Sequence, residues 1–204
     1  MIIVLYPLIF SVLWLGFKLL FFMRIKGAGN IPKRGTRLLV CANHTGYSDP
    51  IFVTMPFGPF RRIRYMAKSS IFRVGWKRHF LNELGAFPVD QRSGDVGSIR
   101  HAIEELEKGK PVVVFPEGSR RLRGLDNLEA LPGIGLIALK AGAYILPVYI
   151  TPYLAPFKRK TVVVGQAFKP EKMEGERPSA AYRRIAGDTL ERIRSLGESI
   201  GEGW

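Results

Sequence analysis

Residues 95–115 read DVGSIRHAIEELEKGKPVVVF, and this stretch decides the fold class. In Asp95 to Lys108, apolar residues recur at the period of an amphipathic helix. Gly109 is suited to ending that helix, and Lys110 to Phe115 is then a short apolar run typical of a buried strand. A helix followed at once by a buried strand is the repeating unit of a parallel α/β sheet.

The same alternation extends to both sides of this stretch. Further strands are predicted at Arg37–Ala42, Ile63–Ala67, Ala86–Val89, Tyr144–Ile150 and Thr161–Gly165. Further helices are predicted after Ser48, which is a good N-cap residue, at Gly133–Ala141 and at Pro178–Leu196. We therefore predict an α/β fold whose largely parallel sheet is flanked by helices.

Composition limits the classes of protein to which the chain can belong. With 47% hydrophobic residues in 204, the chain is too apolar to be disordered and long enough for one domain with a real core. Its single cysteine, Cys41, excludes a disulfide scaffold and is predicted to be a buried thiol, and three histidines leave little for a zinc site. The net charge of +14 indicates an anionic partner, such as a nucleic acid, a phosphorylated substrate or an anionic membrane.

The amino-terminal segment is predicted to anchor the chain to a membrane. Residues 1–23 read MIIVLYPLIFSVLWLGFKLLFFM and are just long enough to cross a hydrocarbon core, which takes about 20 residues. The basic residues that follow predict, by the positive-inside rule, that the rest stays on the cytoplasmic face. We divide the chain into an anchor, 1–24, and a domain, 25–204. An interfacial hairpin broken at Pro7 and Gly16, or a core helix, would be the alternatives.

Two loops that follow predicted strands carry the polar residues best suited to chemistry, because ligands of α/β sheets gather at the carboxyl ends of strands. In the first loop, a turn can bring His44 onto the carboxylate of Asp49, leaving the other ring nitrogen free to accept a proton. A substrate hydroxyl could then act as the nucleophile. The alternative is that His44 and Asp49 form only a loop hydrogen bond and a helix cap.

The second loop, Phe115 to Arg120, combines a carboxylate, a hydroxyl and a guanidinium on a glycine turn. Arg120 offers a planar fork for a phosphate, and Glu117 can accept a hydrogen bond from a ligand hydroxyl or hold Arg120. Ser119 adds a hydroxyl to the same turn. A solvated ion pair between neighbours is the structural alternative.

A basic stretch at 61–80 favours an anionic bilayer surface as a partner. It reads RRIRYMAKSSIFRVGWKRHF and interleaves basic with aromatic and aliphatic residues, without an acidic one. A solvated face of a strand and helix, or single-stranded nucleic acid, could also account for it. The hydrophobic amino terminus favours a membrane over nucleic acid, and we predict no nucleic-acid partner. Residues 153–160, YLAPFKRK, are predicted to be a second interfacial loop.

Taken together, these motifs resemble those of the glycerolipid acyltransferases, which include the 1-acylglycerol-3-phosphate acyltransferases. Asn43-His44 with Asp49 is similar to the family's first motif, and Phe115-Pro116-Glu117-Gly118-Ser119-Arg120 to its third. Residues 85–90, GAFPVD, resemble the second motif and residues 146–150, LPVYI, the fourth. Lys68 matches a lysine often seen between the first two motifs. The second motif usually ends in arginine where this chain has Gln91, and Arg92 follows one place later.

The resemblance implies the fold of glycerol-3-phosphate acyltransferases and an acyl transfer from acyl-CoA or acyl-carrier protein to the free hydroxyl of 1-acylglycerol 3-phosphate, giving phosphatidic acid. It implies His44 as general base and Asp49 as its partner, with no metal or cofactor. The implied acceptor-binding residues are Lys68, Arg92, Glu117, Gly118, Ser119 and Arg120. The expected setting is the cytoplasmic face of the cell membrane. The alternatives are another acceptor (glycerol 3-phosphate, another lysophospholipid or an acylated amino lipid) or a non-catalytic protein that binds the membrane surface.

Overall fold

The computed structural model describes residues 11–12, 14–46, 48–73, 75–83, 85–89, 96–118, 130–152 and 159–202. The strands are β1 Arg24–Lys26, β2 Leu38–Ala42, β3 Arg64–Lys68, β4 Ala86–Val89, β5 Val112–Val114, β6 Tyr144–Ile150 and β7 Thr161–Val164. The helices are α1 at residues 11–12 and 14–20, α2 Asp49–Thr54, α3 Gly75–Glu83, α4 Val96–Glu107, α5 Gly133–Ala141 and α6 Pro178–Glu198. Short 3₁₀ turns cover Ala28–Asn30, Met55–Phe57 and Ser69–Arg73.

The strands form one sheet in the order β1-β7-β6-β2-β5-β3-β4. From β6 to β4 every neighbouring pair is parallel, whereas β7 runs antiparallel to β6 and β1 runs parallel to β7. The prediction of a largely parallel α/β sheet is therefore confirmed. The carboxyl ends of β6, β2, β5, β3 and β4 lie at the same end of this sheet, which we call the loop edge.

Strand β2 is buried along its whole length because both faces of the sheet are covered. Leu39 and Cys41 belong to the core cluster that the sheet forms with α4, α5 and α6. Leu38, Val40 and Ala42 belong to the cluster on the other face, which includes residues of α2 and of the segment after α1. This explains why the strand reads as a continuous apolar run rather than an alternating one.

Helices α5 and α6 approach each other closely at a glycine. A Cβ built on Gly135 would lie 2.5 Å from the carbonyl oxygen and 2.6 Å from the Cα of Tyr182. No side chain fits at that distance, because both contacts are to backbone atoms of α6. A glycine in α5 thus allows the long carboxyl-terminal helix to seat against the sheet.

One side of α1 packs on the domain and the other faces outward. The Trp14 indole N–H donates to the carbonyl of Met55 at 3.0 Å, and the Phe17 and Phe21 rings meet Phe52 edge-on, with centroids 5.9 and 5.5 Å apart. Val12, Leu15, Leu19, Leu20 and Phe22 are exposed. In the described part of the chain, no helix combines the length and apolar character that crossing a bilayer requires. Residues 1–10 and residue 13 of the predicted anchor lie outside the described residues, and the division after residue 24 stays a prediction.

Two local expectations differ from the structure. Strand β1 is not among the predicted strands, because two of its three residues are charged and it pairs only at the sheet margin. Ser48 occupies the N-cap position of α2, but its side chain makes no capping hydrogen bond. The Asp49 carboxylate instead turns back onto the loop, where it accepts hydrogen bonds from the Thr45 and Gly46 N–H groups that precede the helix.

Candidate active site

The loop after β2 is tied to the neighbouring strand by the side chain of Asn43. Its amide NH₂ donates to the carbonyl of Ile150 at 2.8 Å, and its amide oxygen accepts from the Ile150 N–H, also at 2.8 Å. The buried side chain thus completes a backbone-like pair with β6 where β2 itself has ended. This fixes the point at which the chain turns and from which His44 projects.

His44 and Asp49 meet at the loop edge. The ring Nδ1 lies 3.0 Å from Asp49 Oδ2, and the same oxygen accepts from the N–H groups of Thr45 and Gly46 at 2.6 and 2.7 Å. Asp49 is 2% exposed. A buried carboxylate that accepts a hydrogen bond from the Nδ1–H group selects the tautomer in which Nδ1 carries the proton. Nε2 then has a lone pair that can accept a proton. The predicted pairing of these two side chains is therefore present.

The loop after β5 reaches the same histidine. The His44 N–H donates to Glu117 Oε2 at 3.4 Å, and the Phe115 ring stacks on the imidazole with centroids 4.1 Å apart and planes inclined by 20°. The turn closes through a Gly118 N–H to Phe115 carbonyl bond of 3.0 Å. Gly118 has φ +65°, a backbone conformation that side chains rarely adopt, and a Cβ there would lie 2.3 Å from the Leu131 side chain, so this turn favours glycine. Glu117 is buried. From the sequence, Glu117 is predicted either to contact a ligand or to form an ion pair, and its burial is not part of that prediction.

The remaining predicted site residues are placed only in part. Lys68 ends β3 and is exposed; since Tyr65 pairs with Val113, Lys68 lies toward the loop edge. One strand, β5, separates β3 from β2, so Lys68 lies roughly 10 Å from the line of β2. Arg92, Ser119 and Arg120 are outside the described residues, and their roles stay predictions.

Lys160 is a buried lysine near Asp49, and the sequence does not predict its burial. Lys160 is 3% exposed, its Nζ donates to the carbonyl of Thr151, and it lies 5.1 Å from the centroid of the Phe52 ring. Burial lowers the pKa of Lys160, while the charges of Asp49 and Glu202 act in the opposite direction. The prediction of an interfacial loop through residue 160 is thus wrong for Lys160. No signal in the YLAPFKRK string marks one of its basic residues as buried.

Cys41 takes no part in this arrangement. It is fully buried in β2, and burial raises the pKa of its thiol, so it is held as an unreactive thiol. The prediction of a buried, reduced cysteine is confirmed. The site therefore pairs an imidazole with a carboxylate, and the chain's single cysteine lies outside it. Such a set can remove a proton from a hydroxyl that a substrate brings.

Comparison with known proteins gives one consistent answer. A family model described as Acyltransferase matches residues 23–151. A 1-acyl-sn-glycerol-3-phosphate acyltransferase of Bacillus subtilis is 33% identical over 98 residues, 48% of this chain and 48% of the relative. Its counterpart in Borreliella burgdorferi is 33% identical over 140 residues, 67% of this chain and 52% of the relative. The chain thus spans about half the length of these curated relatives.

A solved structure agrees with them. The crystal structure of the 1-acyl-sn-glycerophosphate (LPA) acyltransferase PlsC from Thermotoga maritima superposes with a TM-score of 0.60 at 25% identity. The match covers 89% of this chain and 73% of that one. The span that the family model matches contains both loops that meet at His44.

Proposed function

Because the chain belongs to the acyltransferase family, we propose that it transfers an acyl group from an acyl thioester to the free hydroxyl of 1-acylglycerol 3-phosphate, giving phosphatidic acid. The observation that carries the proposal is the His44–Asp49 pair at 3.0 Å, joined to Glu117 of the neighbouring strand's loop. The names of the relatives supply the acceptor and the reaction. Acyl-CoA and acyl-carrier protein are both suitable donors.

The geometry suits a direct transfer without an acyl-enzyme. His44 Nε2 removes the proton of the acceptor hydroxyl while that oxygen attacks the thioester carbonyl. The tetrahedral intermediate then expels the thiolate, which takes the proton from the imidazolium. Asp49 holds Nδ1–H in place and stabilises the imidazolium during these steps. The chain's own side chains supply each proton transfer, so we propose no cofactor.

Recognition of the acceptor phosphate is assigned to basic residues at the loop edge. Lys68 is exposed at the end of β3, and Arg120 follows Gly118 by two residues. A guanidinium can bind a phosphate through two parallel hydrogen bonds, which makes Arg120 the stronger candidate. Arg92 is the third candidate, and Ser119 supplies a hydroxyl next to Arg120.

Membrane association belongs to the same proposal, because both substrates carry insoluble chains. Three residues separate strand β1 from the end of α1, and Arg24 pairs with Thr161 while Ile150 pairs with Val162. The end of α1 therefore meets the sheet at the loop edge, near the end of β6. Exposed apolar residues of α1, such as Val12 and Leu19 at 66% and 65%, suit insertion among lipids at this edge. We place the enzyme on the cytoplasmic face of the membrane.

The test is an acyl-transfer assay on the full chain reconstituted in anionic vesicles. We expect labelled acyl-CoA or acyl-carrier protein to acylate 1-acylglycerol 3-phosphate faster than glycerol 3-phosphate or a lysophospholipid without a terminal phosphate. Preference for one of those acceptors would replace the proposed substrate. Vesicle binding without any acyl transfer would indicate a non-catalytic membrane-surface protein.

Variants in the same assay test the assigned contacts. Arg120→Ala should raise the KM for the acceptor more than tenfold, on the order of a lost charge-assisted phosphate contact. Arg183→Ala, an exposed arginine on α6, is the matched control and should leave KM unchanged. Leu19→Ser should release protein from the vesicles without unfolding it, since Leu19 is exposed. An unaltered acceptor KM, or unaltered vesicle binding, would remove the corresponding assignment.

A further inference from the structure

The stacking of Phe115 on His44 is a contact that the proposed mechanism does not use. The two rings lie 4.1 Å apart between centroids and are inclined by only 20°, so the phenyl ring covers one face of the imidazole. Phe115 is half-buried and packs against the core cluster on its face of the sheet. Its own position is therefore fixed by the core rather than by the histidine.

The hydrogen bond to Asp49 leaves the imidazole one degree of freedom. It restrains the distance from Nδ1 to Asp49 Oδ2, but two side-chain torsions place the ring, so a coupled rotation about them can still tilt it, and the terminal torsion of histidine has a broad minimum. Tilting moves Nε2, which is the atom that must reach the substrate hydroxyl. A flat surface against the ring removes this freedom, because a tilted ring would lose the stacked contact.

The backbone of His44 is held by the same loop. Glu117, two residues beyond Phe115, accepts the His44 N–H at 3.4 Å. One segment, Phe115 to Glu117, thus contacts both the main chain and the ring of the base, while Asp49, at the start of α2, holds the ring from the side of His44's own loop. Among the described residues, the charged side chains that contact His44 are Asp49 and Glu117.

We propose that Phe115 is a positioning residue for acyl transfer: its ring holds the plane of the His44 imidazole so that Nε2 stays aimed at the acceptor hydroxyl. This rests on the proposed function and adds a role for the first residue of the loop after β5. The role acts on the chemical step and not on substrate binding. Misplacement of a reacting group by about 1 Å can cost on the order of 100-fold in rate.

The experiment compares Phe115→Leu with Phe115→Tyr in the reconstituted enzyme. Leucine retains most of the apolar volume but removes the flat ring, whereas tyrosine retains the ring. We expect Phe115→Leu to lower kcat by roughly 10- to 100-fold, with the KM for both substrates unchanged. Phe115→Tyr should retain most of the wild-type kcat, because it keeps the flat ring.

Phe168→Leu is the matched control. Phe168 is also a partly buried aromatic residue with a side-chain contact, since Arg192 lies 4.3 Å from its ring centroid, but it packs against the other core cluster. Its replacement should leave kcat unchanged. Wild-type kcat in Phe115→Leu, or a change confined to KM, would overturn the proposal.

A spectroscopic readout separates this proposal from the proposed function. The chain contains three histidines, so their ring protons can be assigned with His79→Gln and His101→Gln. We expect a His44 ring-proton resonance displaced by the Phe115 ring current in the wild type, and loss of that displacement in Phe115→Leu but not in Phe115→Tyr. Identical His44 resonances in all three proteins would contradict the stacked arrangement. If the wild type acylated no acceptor, the proposed function would fail while this comparison still decided whether Phe115 holds the ring.

Discussion

Glu105 is a buried carboxylate held by three cations at the end of the sheet opposite the loop edge. It is 3% exposed, and it accepts hydrogen bonds from Arg64 Nε at 2.6 Å, Lys108 Nζ at 3.0 Å and Lys110 Nζ at 3.1 Å. Burial alone would raise the pKa of Glu105, but the hydrogen bonds from Lys108 and Lys110 and the charge of Arg64 lower it to about 2. The carboxylate thus joins α4 to the starts of β3 and β5.

Glu105 makes the free energy of unfolding depend on pH in the acid range. Because the folded-state pKa is about 2 and the ordinary value is 4.5, the stabilisation is complete above pH 4.5 and is lost as the pH falls toward 2. Glu105→Gln should lower the unfolding free energy by about 3 kcal/mol at pH 7, and the difference from wild type should shrink in acid. Urea denaturation at several pH values measures this.

Glu107→Gln is the control for that measurement, because Glu107 is an exposed carboxylate on the same helix. It should change stability little at any pH. A Glu105→Gln protein as stable as wild type at pH 7, or a difference that does not narrow in acid, would contradict the role assigned to the cluster.

At the scale of residues, sequence alone predicted short-range relations and missed long-range ones. The His44–Asp49 pair was predictable because a turn brings residues five apart together. The stacking of Phe115 and the burial of Lys160 depend on which strands are neighbours, and no local signal carries that information. The roles of Arg92, Ser119 and Arg120 stay predictions because these residues lie outside the described part of the chain.

At the scale of elements, periodicity located most of the sheet and the helices. Strands β4 and β6 and helix α5 have the predicted bounds, and β2, β5, β7, α4 and α6 differ only at their ends. The long apolar runs made this possible, since they have few other uses in a folded chain. Strand β1 was missed because three residues with two charges give no periodic signal.

Two glycines test how closely the helices pack. Gly135 of α5 and Gly187 of α6 both lie within helices, so alanine should favour the helix equally at both positions, by about 1 kcal/mol. A Cβ on Gly187 would meet nothing within 4 Å, whereas one on Gly135 would meet the α6 backbone at 2.5 Å. We expect Gly187→Ala to raise the unfolding free energy by about 0.5–1 kcal/mol and Gly135→Ala to lower it by about 1–3 kcal/mol.

Thermal melts of the two glycine variants side by side provide the check. Opposite signs would support close packing of α5 on α6. Two stabilised variants would mean that the helices are further apart than described, and the seat of α6 on the sheet would need revision.

At the scale of the whole molecule, the loop edge gathers the features that the proposed acyl transfer at a membrane requires. It carries the His44–Asp49 pair, the buried Glu117, the exposed Lys68 and the end of α1 with its exposed apolar face. The parallel direction of β2, β5 and β3 is the reason, because segments far apart in the chain emerge on one side. Once the parallel sheet was predicted, this convergence could be predicted too, but its distances could not.

The most direct test of the account is the turnover of His44→Ala beside that of His101→Ala on 1-acylglycerol 3-phosphate in vesicles. His101 is an exposed histidine that also contacts a phenylalanine, Phe87, with ring centroids 4.5 Å apart, which makes it a matched control. We expect His44→Ala to lose about 10²- to 10⁴-fold in kcat with an unchanged melting temperature, and His101→Ala to retain wild-type kcat. A folded His44→Ala enzyme with near wild-type turnover would contradict the assignment of His44 as the base.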